Sequence, residues 1–201
     1  MEKQWTEEGI QELAKNLRKP QGEFGRVVAE KMNEGNHFIN METIGLLDLK
    51  AGQHVLEIGM GNGFFVPEVL KKAKDLRYTG LDYSEDMVAA SLSNNQELVK
   101  SGRVKFIQGD VINTPFDADS FDAIFTINTI YFWENVDQTL AELYRVLKPH
   151  GKLFISIRPK EAMKAYPVIK YGFNLFDGEV IEQAMKAAGL KETIVKKLQE
   201  P

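Results

Sequence analysis

The 201-residue chain contains no cysteine. That absence excludes disulfides, a thiolate nucleophile, cysteine-held zinc and iron–sulfur clusters together. Long apolar runs are missing too. Nothing approaches the roughly 18 residues that a membrane span needs, and the charged opening "MEKQWTEEGIQELAKNL" lacks the apolar stretch of a signal peptide. Neither sign of charge dominates: Lys+Arg 25 against Asp+Glu 29 leaves a net −4 with no block of like charge, which disfavours nucleic acid or an anionic membrane surface as partner. The expectation is a soluble, cytoplasmic protein, of a length that suits one domain with a substantial core.

What is present is a change of period. Ile10, Leu13, Ala14 and Leu17 recur at helical spacing, as do Phe24, Val27, Val28 and Met32, with "RKPQG" between them, so two amphipathic helices are predicted first. From His54 onward, short apolar runs ("HVLEI", "RYTGLD", "VKFIQ", "FDAIFTI", "KLFISI") alternate with helical segments. That alternation predicts a parallel sheet with crossover helices. Ser84 before Glu85 and Asp86 reads as a helix cap, with Met87, Val88, Ser91 and Leu92 as the inward face. Val136, Leu140, Leu143, Tyr144 and Leu147 mark a later helix, and Val180, Ile181, Ala184, Met185 and Ala188 another, closed by Gly189.

The first strand runs straight into "EIGMGNG", three glycines spaced by two, at residues 59, 61 and 63. Glycines at a strand's carboxyl end bring backbone close to a nucleotide-like ligand. A dinucleotide fingerprint needs G-x-G-x-x-G, but from Gly59 the sixth position is Phe64; the pattern is E-x-G-x-G-x-G from Glu57. Asp82 ends the second strand, where a carboxylate is placed to accept paired hydrogen bonds from ribose hydroxyls.

Four landmarks, "VLEIGMGNG", "GLDYSEDMV", "VKFIQGDV" and "FDAIFTINTIYFW…LYRVLKPHGKLFIS", resemble in order and spacing the class I S-adenosylmethionine-dependent methyltransferases, especially the ubiquinone/menaquinone-biosynthesis branch. The resemblance covers about Leu46 to Ile157. It implies a three-layer Rossmann-like α/β fold, mostly parallel, with helices on both faces, and S-adenosyl-L-methionine as cofactor. By the same resemblance, Gly59, Gly61 and Gly63 admit the methionine and ribose part of the cofactor. Asp82 with neighbouring Tyr83 meets the ribose. Asp110 with the Val111 N–H meets the adenine, and Asn128 lies beneath the methionine. Glu57 either orients the loop or helps hold the cationic end of the methionine. The simpler alternatives are a helix cap for Asp82 and Asp110, a closed turn for Asn128 and satisfied loop amides for Glu57.

The expected reaction is in-line methyl transfer to a small-molecule acceptor; a silent cofactor-binding protein and a nucleotide-dependent oxidoreductase are the alternatives. Base candidates are few. His54 opens a strand and His150 sits in a turn, which leaves His37, in the link between the early helices and the sheet. Tyr131, Phe132 and Trp133 follow the fourth strand as a prospective aromatic wall, with Tyr131 the preferred contact. "INTIYFW" is not the Asn/Asp-Pro-Pro-Tyr run of amino-methylating DNA and protein enzymes, and cytosine-ring or radical methylation needs cysteine. No metal is expected. The organisation anticipated is a single domain: a helical cap at 1–45 acting as a lid, a cofactor-binding core at 46–157, and a connector, helix and strand at 158–201. The strand pair that usually ends the family's sheet is incomplete here, "LKETIVKKLQEP" supplying one candidate strand.

Overall fold

The computed structural model describes residues 6–199; the ends of the anticipated cap and C-terminal part, 1–5 and 200–201, lie outside the described residues. Three helices come first: α1 (Glu7–Arg18), α2 (Gly22–Gly35) and α3 (His37–Leu46). Thr6 caps α1, its hydroxyl accepting the Gly9 N–H at 3.1 Å, with Glu7 and Glu8 in the positive first turn and Lys15 and Arg18 in the last. The third helix was not anticipated. His37 therefore opens a helix instead of standing in a link, and its ring packs on Phe65 with centroids 5.8 Å apart.

The sheet and its crossovers follow: β1 (His54–Ile58), α4 (Val66–Leu70), β2 (Arg77–Asp82), α5 (Glu85–Asn94), α6 (Gln96–Lys100), β3 (Val104–Gln108), β4 (Phe121–Ile127), α7 (Val136–Val146), β5 (Leu147–Ser156), α8 (Lys160–Met163) and α9 (Gly178–Ala187). Strand order is β3-β2-β1-β4-β5, every pairing parallel. The order reverses beside β1, so the crevice at its carboxyl end is the topological switch point where α/β sheets bind ligands. Among the described residues no strand follows β5. The anticipated C-terminal strand is absent: 191–199 is irregular, and Ile194 is 93 % exposed with no apolar surface to cover it.

The period-2 alternation of the strands divides the core. Leu56, Ile58 and Ile124 face Leu140, Leu143 and Ile181, whereas Val55, Ala123 and Phe125 face Ile44, Leu47 and Val66. Helix α3 is thus part of the core. The inward faces read from sequence hold at Met87, Ser91, Leu140, Leu143 and Ile181, but Leu92, Tyr144 and Val180 are exposed. Among the described residues no helix is long and apolar enough to cross a membrane.

Helices α1 and α2 form a hairpin lying across the sheet's carboxyl edge. Buried Asn16 holds its turn by accepting the Gln21 N–H at 3.0 Å. The Ser84 hydroxyl donates to the Pro20 carbonyl at 2.5 Å, and Asp86 accepts the Gly22 N–H at 2.6 Å, fastening the turn to the start of α5. Gly25 lets the two helices close: a Cβ there would come within 2.7 Å of the Pro20 carbonyl carbon, a backbone atom that cannot swing aside. Gly25→Ala is therefore expected to loosen the hairpin alone. In hydrogen exchange, amides of residues 7–35 should lose protection by about tenfold or more while those of β1 and β4 keep theirs; equal loss in both would show that the hairpin unfolds only with the core.

Candidate functional site

The carboxyl ends of the strands open into one cavity of about 780 Å³, roofed by α1 and α2. This is toward the upper end of the ~300–1,000 Å³ usual for small-molecule sites. Of the sequence-predicted residues, Glu57, Gly59, Gly61, Asp82, Tyr83, Asp110, Val111, Asn128 and Tyr131 all line it, whereas Gly63 and His37 do not.

The three glycines do different work. Each has left-handed backbone, φ +73°, +59° and +70° in order, which side-chained residues resist. A Cβ on Gly59 would strike the Thr129 methyl at 2.4 Å, and one on Gly63 would strike Asn95 at 2.7 Å and the Ser91 hydroxyl at 2.9 Å. These two let the loop sit down on its neighbours. A Cβ on Gly61 would meet nothing within 4 Å, so Gly61 is the one whose missing side chain leaves free space in the cavity.

Asp82 braces that loop. One carboxylate oxygen accepts the Gly61 N–H at 2.9 Å and the other the Ser84 N–H at 2.9 Å, so β2 pins the exit of β1 and starts its own turn into α5. Burial pushes its pKa up to about 6, against the pull of those amide donors. Glu57 is 6 % exposed and accepts the Tyr78 hydroxyl at 2.5 Å. Desolvation raises it to about 7, opposed by the tyrosine bond and reinforced by the charge of Asp82. Asp110 is exposed and folds back to accept the Ile112 N–H at 3.2 Å.

On the opposite side the exits of β4 and β5 meet the α2–α3 junction. Asn128 has φ +56° and donates through Nδ2 to Asn36 at 3.2 Å. The Arg158 guanidinium donates to the same Asn36 oxygen at 2.7 Å and to the Gly35 carbonyl at 2.8 Å. The Tyr131 hydroxyl, buried with its ring, accepts the Arg158 N–H at 2.7 Å and lies 3.1 Å from Asn128 Oδ1. Tyr131 is thus a brace within a polar hub as well as a wall residue. Sequence reasoning missed Asn36 and Arg158; the Gly35-Asn36 break between helices was the available signal for the first. His54, 2.9 Å from the Thr79 hydroxyl, is held down to about 4 by burial and by nearby Arg77 and Lys148, which fits a structural role.

The methyltransferase domain family matches residues 56–155. The methyltransferase YdaC of Bacillus subtilis is 33% identical over 127 residues, 63% of this chain and 68% of that protein. The chain belongs to the class I S-adenosylmethionine-dependent methyltransferases. A phosphoethanolamine N-methyltransferase of Triticum aestivum is 29% identical over 162 residues, covering 76% of this methyltransferase but only 31% of the plant enzyme's length. The structure of Haemonchus contortus phosphoethanolamine N-methyltransferase 2 with S-adenosyl-L-methionine superposes with a TM-score of 0.63 at 26% identity, over 94% of this chain and 42% of that one. The residues present suit a cationic donor of that kind: the bare Gly61 leaves room, and Glu57, Asp82 and Asp110 put three carboxylates on one wall.

The buried acid gives a pH prediction. A carboxyl raised in the folded state, as Glu57 is from 4.5 to about 7, stabilises the fold fully below pH 4.5 and loses that contribution as pH rises through 7. The ligand-free protein should therefore be less stable at pH 8 than at pH 5, by on the order of 2 kcal/mol from this group. Glu57→Gln, which still accepts from Tyr78, should shrink the difference in denaturation midpoints to the part that Asp82, raised to about 6, contributes in the same direction; a wild type equally stable at both pH values would show the carboxylates to be well solvated.

Proposed function

We propose that S-adenosylmethionine binds along the glycine wall of the cavity and that a small-molecule acceptor binds beneath the α1–α2 hairpin. The observation that carries this reading is that the open position at Gly61, the braced Asp82 and the helical roof all border the same cavity. Asp82 receives the ribose hydroxyls on lone pairs left by its two amide bonds, since each carboxylate oxygen accepts more than one donor. Glu57 offers negative charge to the donor's ammonium group, Asp110 and the Val111 N–H meet the adenine, and Asn128 sits under the methionine. Tyr83, 51 % exposed and covered by Lys19 at 4.5 Å, borders the ribose.

Held there by the glycine loop and Asp82, S-adenosylmethionine would supply a methyl group activated by its positively charged sulfur, which is left neutral when the methyl has gone to the acceptor. This chain's contribution is alignment and exclusion of water, effects that are large when two reactants share a closed site. No histidine lines the cavity among the described residues, so the reading assigns no imidazole base. Within a single domain in the cytoplasm the anticipated cap narrows to α1 and α2, which move as the lid while α3 stays with the core.

Three measurements test this. Asp82→Ala should weaken S-adenosylhomocysteine binding at least about tenfold in calorimetry, losing the loop brace as well as the ribose contacts. Gly61→Val should bind still more weakly, because a branched side chain fills the open space and resists φ +59°. Because ligand donors favour ionised carboxylates, affinity for the wild type should fall as pH drops through about 7 and about 6, the values of Glu57 and Asp82. Undiminished binding by a folded Gly61→Val protein would defeat the placement.

A further inference from the structure

The charge and polarity of the cavity are sharply divided. Its carboxylates Glu57, Asp82 and Asp110 stand on the donor wall, whereas Leu17, Phe24 and Val27 from the hairpin and Phe132, Trp133 and Tyr166 beyond the sheet's edge give the rest of the lining a large apolar share beside its amides and cations. Three cations also line it, and each is engaged. Arg18 pairs with Glu134 at 2.8 Å, Lys31 with Glu34 at 2.8 Å, and Arg158 holds Asn36 and Gly35. A phosphate or carboxylate on an acceptor would have to share cations that already have partners, in a cavity whose lining carries four acids (Glu57, Asp82, Asp110, Glu134) against three bases. At the mouth, Phe24, Val27 and Tyr166 remain 38 %, 47 % and 47 % exposed, apolar surface that an apolar ligand would remove from water.

We propose, resting on the donor placement above, that the acceptor is an uncharged apolar molecule with an aromatic or long-chain body, and not a phosphate-bearing amine of the kind named for the phosphoethanolamine relatives. The body lies between the hairpin and Phe132, with part of it covering Phe24 and Val27 at the mouth. Its nucleophilic atom is the end that reaches the polar wall. Specificity then resides in the apolar area buried and in the excess of acids over bases in the lining, which selects against anions.

The test uses the full chain loaded with S-adenosylhomocysteine, with neutral N-phenyl-1-naphthylamine as a fluorescent probe and phosphoethanolamine at millimolar concentration as the anionic counterpart. The naphthylamine should bind saturably to the loaded protein, phosphoethanolamine should neither bind nor displace it, and Phe24→Asp should weaken the probe about tenfold while S-adenosylhomocysteine affinity stays within about twofold. Val27→Ser, at a half-exposed position, gives the same reading in a smaller measure should Phe24→Asp disturb the hairpin. A loaded protein that ignores the naphthylamine, binds phosphoethanolamine, or keeps full probe affinity in both variants overturns the acceptor class. Failure of S-adenosylhomocysteine itself to bind overturns the donor placement, and the acceptor proposal falls with it.

Discussion

The hydrogen bond from the Gly61 N–H to Asp82, 2.9 Å long, joins the exits of two adjacent parallel strands, and the shape of the cavity floor depends on it. It is made by backbone that only glycine adopts readily, at φ +59°, to a carboxylate that burial has already raised to about 6. Each half is unfavourable alone. Left-handed backbone costs roughly 1 kcal/mol or more for a residue with a side chain, and a desolvated carboxylate costs more unless donors surround it. Together the loop supplies the donor that the carboxylate needs, and the carboxylate fixes the conformation that the glycine permits. Glu57 lies beneath in the same field, so two acids whose charges repel are held next to a cavity that favours a positive guest. The ligand-free protein carries an electrostatic cost there that a cationic donor relieves.

A second constraint links roof to floor. Asn36 receives both Arg158 and Asn128, so the α2–α3 junction is tied to the exits of β5 and β4 by one oxygen. On the other side, Asp86 and Ser84 tie the α1–α2 turn to α5, and Asn33 donates to Asn62 of the glycine loop at 3.1 Å. The hairpin is therefore held at its edges by polar contacts and not by a continuous apolar interface with the sheet. Such contacts are individually worth about 0.5–3 kcal/mol, the upper part for those to Asp86 and Arg158, small enough to break and remake as ligands enter, whereas α3, with Ile44 in the core and Leu47 just after it, is not free to follow.

The strands were legible because β1, β2 and β4 are short runs buried on both faces and the edge strand β3 repeats their β-branched and aromatic composition; the four fall on "HVLEI", "RYTGLD", "FDAIFTI" and "VKFIQ". The glycine loop was legible because nothing else explains three glycines at a strand end. Helix α3 was hidden for the opposite reason. "HFINMETIGL" has apolar residues around its circumference and buries polar Asn40 and Thr43 along with Ile39 and Ile44, so no polar face announces its period. The expected last strand failed because alternation needs a neighbour: "ETIVKKL" has strand-like composition, yet Ile194 finds no pairing edge. Arg158 was out of reach for sequence reasoning, because its role exists only where β5, β4 and the helix junction meet.

The family match spans 56–155, and within it lie Glu57, the glycine loop, Asp82, Asp110 and Asn128, the whole polar wall. Leu17, Phe24, Val27 and Tyr166 lie outside it. The division is what the chemistry requires. Within this fold the glycine loop and the carboxylates at the strand ends are set by the sheet itself, whereas much of the remaining lining comes from segments before β1 and after β5, which can change without disturbing the sheet. Similarity in the matched region therefore bears chiefly on the donor side, Phe132 and Trp133 being the aromatic lining it also contains, and the hairpin's apolar face lies wholly outside it.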